Sequence, residues 1–419
     1  MGENSSAVER TPRPQRIPPK PPPLPELSVL KDFENALGIV LWKALRDVRT
    51  WAEVEPERRR RHFRPPTQEV RERYAYARHE APDLEVPLAA FALLVQAPEA
   101  VDAEQLANAC ESVFQWAEAR GMNLTALHFA EAAAEAVPMD AARANQAARM
   151  ARRNLMRSRA ATWHMRAYRL AQRTGKKREV VWALLGYGAM MRDAGNFDEA
   201  RRFIERAARR AVALRKRKEA GMAYHDLYVI AVEQQQFMLA IKHARSAFHL
   251  YPVRNPSIPR LAHDLAFLFV RLCHFSSGIV VAAKAIPLML QAVEKALAWS
   301  TLAWAAGGAG QRIRFHEAEH AALQLVPDHP DFAPAIFIHL AEGARALADW
   351  GRAHRYAEAA RGAAQVADSP ALEAEAAELL SSIAARQPAP PHLPANPDIE
   401  SLVSLVLDRL ERWRPPRPS

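Results

Sequence analysis

From about Ser28 to Val54, apolar residues recur every three or four positions: Leu30, Phe33, Leu37, Val40, Leu41, Ala44, Leu45 and Val48. That spacing predicts an amphipathic helix. Two further helices are predicted over 67–79 and 84–97, with Thr67 and Asp83 as N-caps. Beyond about residue 103 the pattern changes into paired helical stripes that recur to about residue 365. A helix over 371–387 suits a cap, and the Pro-rich 388–397 reads as a linker. The last helix runs from about Asp398 to Trp413. Its Ile399, Val403, Val406, Leu410 and Trp413 form a heptad seam. One short seam is marginal alone, so folding back over an open end of the stack is preferred to pairing with a second chain.

The repeat shows most clearly in "AYHDLYVIAVEQQQFMLAIKHARSAFHLYP" (223–252). Leu227-Tyr228 lies on a first helix, Ala240, Ala244 and Ala247 on a second, and Pro252 closes the unit. Small residues at the crossing let two helix axes approach closely. Related sets are Val113-Phe114 with Ala126, Ala147-Ala148 with Ala160, and Tyr187-Gly188 with Ala200. Leu265-Ala266 with Gly278, Leu302-Ala303 with Phe315, and Leu340-Ala341 with Ala353 complete the series. The series resembles the tetratricopeptide repeat, a helix–turn–helix unit of roughly 34 residues, in about seven degenerate copies. Every step after the first, which runs from Val113 to Ala147, is longer than that unit. The extra residues are expected in second helices and connecting loops. The missing Trp in several first helices and Glu319 at a normally aromatic or small site also depart from the pattern.

The resemblance implies an all-α, right-handed α-solenoid of antiparallel helix pairs. The expected organisation is a disordered Pro-rich tail over 1–25, a helical region over 26–100 and the solenoid over 101–387. The linker over 388–397 and the amphipathic helix and tail over 398–419 follow. Eight Pro within positions 1–25 exclude a packed element there and favour polyproline II. "RIPPKPP" (16–22) also matches an R-x-x-P-x-x-P docking motif. The resemblance also implies a concave face, lined by first helices, that holds an extended or helical partner segment. Transferred by spacing, its residues are Asn145, Arg149, Arg152, Arg153, Arg192, His225, His263, Phe267, Arg271, Trp304, Glu342 and Arg345. The family's chaperone-type carboxylate clamp of paired Lys and Asn is not reproduced.

Charge changes this picture in one place. The chain carries a net +10, but 143–218 alone holds 22 Lys/Arg and five Asp/Glu, a net +17. Arg202, Arg206 and Arg209 recur on one face of a second helix, and Arg215, Lys216, Arg217 and Lys218 follow as "LRKRK". A solvated helix face is one reading of this outer patch; attraction of acidic partners or a phosphate backbone is the other. Arg58–Arg61 in "PERRRRHFRPP" (56–66) reads as a solvated helix end or turn.

His316-Glu317-Ala318-Glu319-His320 spells H-E-x-x-H, in which paired His could bind Zn²⁺ and the Glu activate water. It lies inside a second repeat helix, with no strand pattern nearby, and reads as helix surface. Walker, G-x-G-x-x-G, G-x-S-x-G and Cys-x-x-Cys signatures are missing. Cys110 and Cys273 lie too far apart in sequence to suggest a metal site or disulfide framework. No signal peptide or membrane span is expected.

These features predict a cytoplasmic, non-enzymatic scaffold without cofactor, a monomer or a weak homodimer through its C-terminal helix. It would bind a protein or peptide partner in its groove and favour acidic ones. The alternatives are a nucleic-acid-associated regulator with non-specific contacts from 143–218, and an HExxH metallohydrolase using His316 and His320.

Overall fold

The computed structural model describes residues 17–416 except 34, 64–67 and 395. Among them every regular element is helical. The chain divides into two compact units, Met1–Arg215 and Lys216–Ser419. The division falls inside "LRKRK".

Unit 1 opens with α1 (Ala36–Glu53), α2 (Pro56–His62), α3 (Gln68–Glu80) and α4 (Glu85–Gln96). Three helix pairs follow: α5 (Ala103–Ala119) with α6 (Asn123–Ala136), α7 (Ala141–Arg153) with α8 (Arg157–Arg173), and α9 (Lys177–Asp193) with α10 (Phe197–Ala213). Unit 2 holds four: α11 (Arg217–Glu233) with α12 (Phe237–Leu250), α13 (Ser257–Arg271) with α14 (Phe275–Ala285), α15 (Ala292–Gly308) with α16 (Arg312–Leu325), and α17 (Ala333–Ala346) with α18 (Trp350–Val366). Helix α19 (Pro370–Ala384) packs on α17 and α18, and α20 (Pro397–Arg412) ends the fold. The seven pairs coincide with the seven sequence units.

The crossing residues behave as their size requires. Ala200, Ile204 and Ala207 of α10 are buried, and a Cβ on Gly188 would lie 2.5 Å from Ile204 Cγ1. The extra length of the repeats goes into helices as far as α11, and into connections of six or seven residues after α12, α14 and α16. Helices α8, α9, α10 and α11 are each 17 residues long, and short links of three join the helices from α7 to α12. The second residue of each link is left-handed: Leu155, Gly175, Gly195, Arg215 and Gln235. In the last of these, Gln235 N donates to Val232 O (2.9 Å) and Gln236 N to Ala231 O (2.7 Å). This satisfies helix-end carbonyls in a Schellman-type cap. Glycine takes that conformation without a Cβ penalty, whereas Leu155 at φ 57° does not. Leu155 is 84% exposed and loses no packing on truncation. Leu155→Gly is therefore expected to stabilise unit 1 by about 0.5–1 kcal/mol, the αL strain exceeding the entropy gained by the unfolded chain. An unchanged or lower urea midpoint would contradict this.

The N-terminal region differs from expectation in three respects. The stripe from Ser28 is not one helix: Glu26–Asp32 is a 3₁₀ turn and α1 starts at Ala36. The break frees Asp32 to accept hydrogen bonds from Thr125 N and Oγ1 (2.8 Å each), supplying the cap that Met122 cannot give α6. Asp83 sits in a 3₁₀ turn and accepts from Arg120 Nη2 (2.8 Å) instead of capping α4, whose N-cap position is Leu84. Thr67 lies outside the described residues. Of the Pro-rich tail, 17–25 is laid against the body: Arg166 Nη1 donates to Pro18 O (2.8 Å) and Arg159 Nη1 to Pro22 O (2.5 Å). Proline-fixed φ keeps this strap extended, and its carbonyls accept from arginines. Strap, turn and α1 cover α6 so fully that every residue from Thr125 to Ala136 is buried. Arg58, Arg60 and Arg61 of α2 are exposed, as a solvated helix requires; Arg64 to Pro66 lie outside the described residues.

Helix α20 folds back, but onto the flank of α12, α13 and α14 of its own unit, not onto the end capped by α19. Trp413 Nε1 donates to Asn255 O (2.9 Å) and Arg409 Nη2 to Tyr251 O. Its buried stripe is Ile399, Leu402, Val406, Leu410 and Trp413; Val403 is half-buried at the margin. The linker is anchored where Leu393 N donates to Cys273 O (2.9 Å).

Candidate binding face

On unit 1 the first-helix residues form a ladder of charges. Arg149 donates to both Glu118 oxygens (2.5 and 3.0 Å), and Arg153 shares that carboxylate. Arg152 donates to Asp193 (2.7 Å), to which Arg192 also donates (2.8 Å). Asn145 Nδ2 reaches Glu179 Oε2 (3.0 Å). Glu118 and Asp193 are each held below the usual carboxylate range. For Glu118 the bond from Arg149 dominates; for Asp193 burial opposes, and the two arginines outweigh it. The five predicted residues are thus engaged with acidic neighbours, most of them about one repeat away.

Unit 2 carries the other seven. His225 Nε2 donates to Asp264 Oδ2 (2.9 Å), and the Tyr251 hydroxyl lies 3.2 Å from its Nδ1. His263 Nε2 donates to Thr301 Oγ1 (3.1 Å) and His339 Nδ1 to Ser300 Oγ (2.9 Å). Both hydroxyls pass their own protons to Leu297 O, 2.9 Å from each. Burial pushes the His339 imidazole down to about 3, with His263 adding to the effect, so it is neutral and its Nδ1–H is free to donate. Burial also lowers His263. It works against the Asp264 carboxylate too, but His225, His263 and Arg260 hold that group below its ordinary value.

Beside this network lie the apolar groups. Phe267 meets Trp304 edge-on at 6.1 Å and His339 at 5.1 Å, while the Arg271 guanidinium stands 6.0 Å from the Phe267 ring. Phe267 and Trp304 are half-buried and Arg271 is exposed. Glu342 and Arg345 pair with each other (2.6 Å). His225 and His263 are mostly covered and serve as rungs between helices. Asp264, Ser300, Thr301 and His339 were not predicted. The signal for them is separation: each bond links positions 38 or 39 apart, one repeat.

The outer residues are more open. Arg202, Arg206, Arg209, Arg215, Lys216, Arg217 and Lys218 are all exposed at the surface. Arg209 lies 3.6 Å from Glu205, and Arg217 donates to His249 O (2.9 Å). The local +17 overstates the field, because Arg143, Arg149, Arg152, Arg153 and Arg159 all have carboxylate partners.

His316 and His320 project from α16 at the surface. His316 Nδ1 donates to Glu319 Oε2 (3.0 Å), and His320 Nε2 accepts from Gln324 (3.0 Å). Glu319 is buried and takes hydrogen bonds from Arg352 (2.6 Å) and Tyr356 (2.6 Å), which accounts for a carboxylate at a site the repeat pattern reserves for small or aromatic residues. Among the described residues no three His, Cys, Asp or Glu side chains converge as metal ligands.

The class these helices define is the all-α helical-repeat protein, built of paired helices. No family model matches the chain, and no curated protein matches it either. Among solved structures, it is similar to a Rap protein complexed with competence and sporulation factor (12% identity, 85% of this chain and 100% of that one, TM-score 0.47). It is also similar to the Rap conjugation gene regulator of plasmid pLS20 in complex with the Phr* peptide (12%, 87% and 97%, TM-score 0.41). A third is the TPR2AB domain of yeast Sti1 in a pHSP90 complex (14%, 67% and 98%, TM-score 0.25). No described helix is long and apolar enough to cross a membrane.

Proposed function

We propose that the chain is a protein-interaction scaffold whose first helices in unit 2 receive an extended or helical segment of a partner. The observation that carries this is the half-exposed Phe267–Trp304 pair with exposed Arg271 beside it, set on helices locked together by the His225–Asp264, His263–Thr301 and His339–Ser300 bonds. Aromatic and arginine side chains are the types that dominate interface energy. A framework rigid before binding loses little entropy on association. The partner segment would place an apolar side chain against Phe267 and Trp304 and a carboxylate on Arg271. A preference for acidic partners would come mainly from unit 1, which holds 36 Lys/Arg against 27 Asp/Glu; unit 2 holds 21 against 20.

Affinity capture followed by mass spectrometry, comparing wild type with Trp304→Ala and Arg271→Glu, tests the reading. The partner is expected to be lost from both, with affinity reduced roughly 30-fold or more, as truncation of a hot-spot residue does. Helical content is expected to stay the same, since neither side chain is fully buried. A partner list unchanged by both variants would refute this face.

A further inference from the structure

A second site lies on unit 1. Helices α8, α9 and α10 enclose a cleft of about 460 Å³, within the usual range for small-molecule sites. Three aromatic rings line it, Tyr168, Tyr187 and Phe203. Three guanidinium groups line it as well: Arg169, Arg206 and Arg210. Arg206 Nη2 donates to the Tyr168 hydroxyl (3.2 Å), and Arg169 lies 5.7 Å from the Tyr168 ring. None of the three has a carboxylate within ion-pair distance among the described residues, unlike Arg143, Arg149, Arg152, Arg153 and Arg159.

His164 also lines the cleft and is 3% exposed, yet neither ring nitrogen has a hydrogen-bond partner. Leaving a buried polar group unpaired is costly. The ring lies against α9 at Gly186, where a Cβ would stand 2.0 Å from His164 Cε1. Burial pushes this imidazole down to about 3, so it is neutral and offers one donor and one acceptor.

We propose that this cleft binds a mononucleotide, a planar heteroaromatic ring bearing a phosphate. Three unneutralised guanidinium groups suit a phosphate dianion, with fork geometry that matches its oxygens. The aromatic rings give stacking surface for a base. The nitrogens of the neutral His164 are covered in the free protein, and a shift of its ring would offer them to a polar ring edge, which a plain hydrocarbon ring lacks.

The test is calorimetric titration of the full chain with AMP, GMP, CMP and UMP, beside inorganic phosphate and phenyl phosphate. At least one mononucleotide is expected to bind at least tenfold more tightly than either control and to raise the melting temperature. Arg210→Ala and Phe203→Ala, at exposed and half-buried positions, are expected to weaken that binding tenfold or more. His164→Leu separates ligand recognition from packing: it is expected to weaken nucleotide binding tenfold without lowering the melting temperature of the free protein, since it removes unsatisfied polar atoms. Mononucleotides binding no better than inorganic phosphate would overturn the proposal, as would binding unchanged in Arg210→Ala and Phe203→Ala.

Discussion

Glu131→Ala is expected to destabilise unit 1 by about 3–5 kcal/mol, the range for breaking a buried ion pair on one side. Glu131 is fully buried on α6. Its carboxylate accepts from Arg159 Nε (2.5 Å), Arg159 Nη2 (2.6 Å) and Trp163 Nε1 (2.8 Å). Arg49, itself buried, lies 3.7 Å from Glu131, 3.3 Å from Glu135 and 3.6 Å from Glu26. Removing Glu131 leaves Arg159 without its carboxylate and Arg49 with a weaker set of counter-charges, all beneath the Pro-rich strap. The control is Glu358→Ala, which removes an exposed pair with Arg361 and is expected to cost less than about 1 kcal/mol. Chemical denaturation compares the two. Equal, small losses would show that the network contributes no more than a surface pair.

Gly307→Val is expected to cost unit 2 about 3 kcal/mol or more, at the upper end of overpacking effects. A Cβ on Gly307 would lie 2.2 Å from Gly343 O and 2.6 Å from Gly343 Cα. These are backbone atoms of α17 and cannot rotate away, so the two first helices must separate. Gly343 is held in turn, since its own Cβ would meet Phe315 at 2.8 Å and Ala303 O at 3.0 Å. Gly362 in α18 is the contrasting case, with nothing within 4 Å of an added Cβ. Gly362→Ala is expected to stabilise by about 0.5–1 kcal/mol through helix propensity and unfolded-state entropy. If Gly307→Val melts no lower than wild type, the close approach of α15 and α17 is wrong.

The repeat was legible because its constraint is local in pattern and repeated in copies. Ala, Gly and aromatic residues must recur where helices cross, and seven copies make the recurrence visible. What each polar side chain does was less legible. Arg149, Arg152 and Arg153 stand where a concave face is expected, yet Glu118 and Asp193, about a repeat away, already hold them. His225 and His263 stand at equivalent positions and prove to be rungs between helices. Reading each position against its counterpart one repeat later would have exposed those rungs. The cleft above His164 had no such signal, because Tyr168, Tyr187, Phe203 and Arg210 come from three helices with no shared spacing.

By itself, then, the sequence determined the helix pairs, their order, the small residues at their crossings and the surface place of His316 and His320. These follow from periodicity and residue size along a single stretch of chain. Only the tertiary structure decided the rest. It laid residues 17–25 over α6, sent α20 to the flank of α12, α13 and α14, neutralised five arginines of the basic block and left Arg169, Arg206 and Arg210 open around an unpartnered histidine. The physical reason is that a charge or a hydrogen bond is settled by whatever group lies within about 3 Å in space, and periodicity along the chain carries that information only where the partner stands one repeat away.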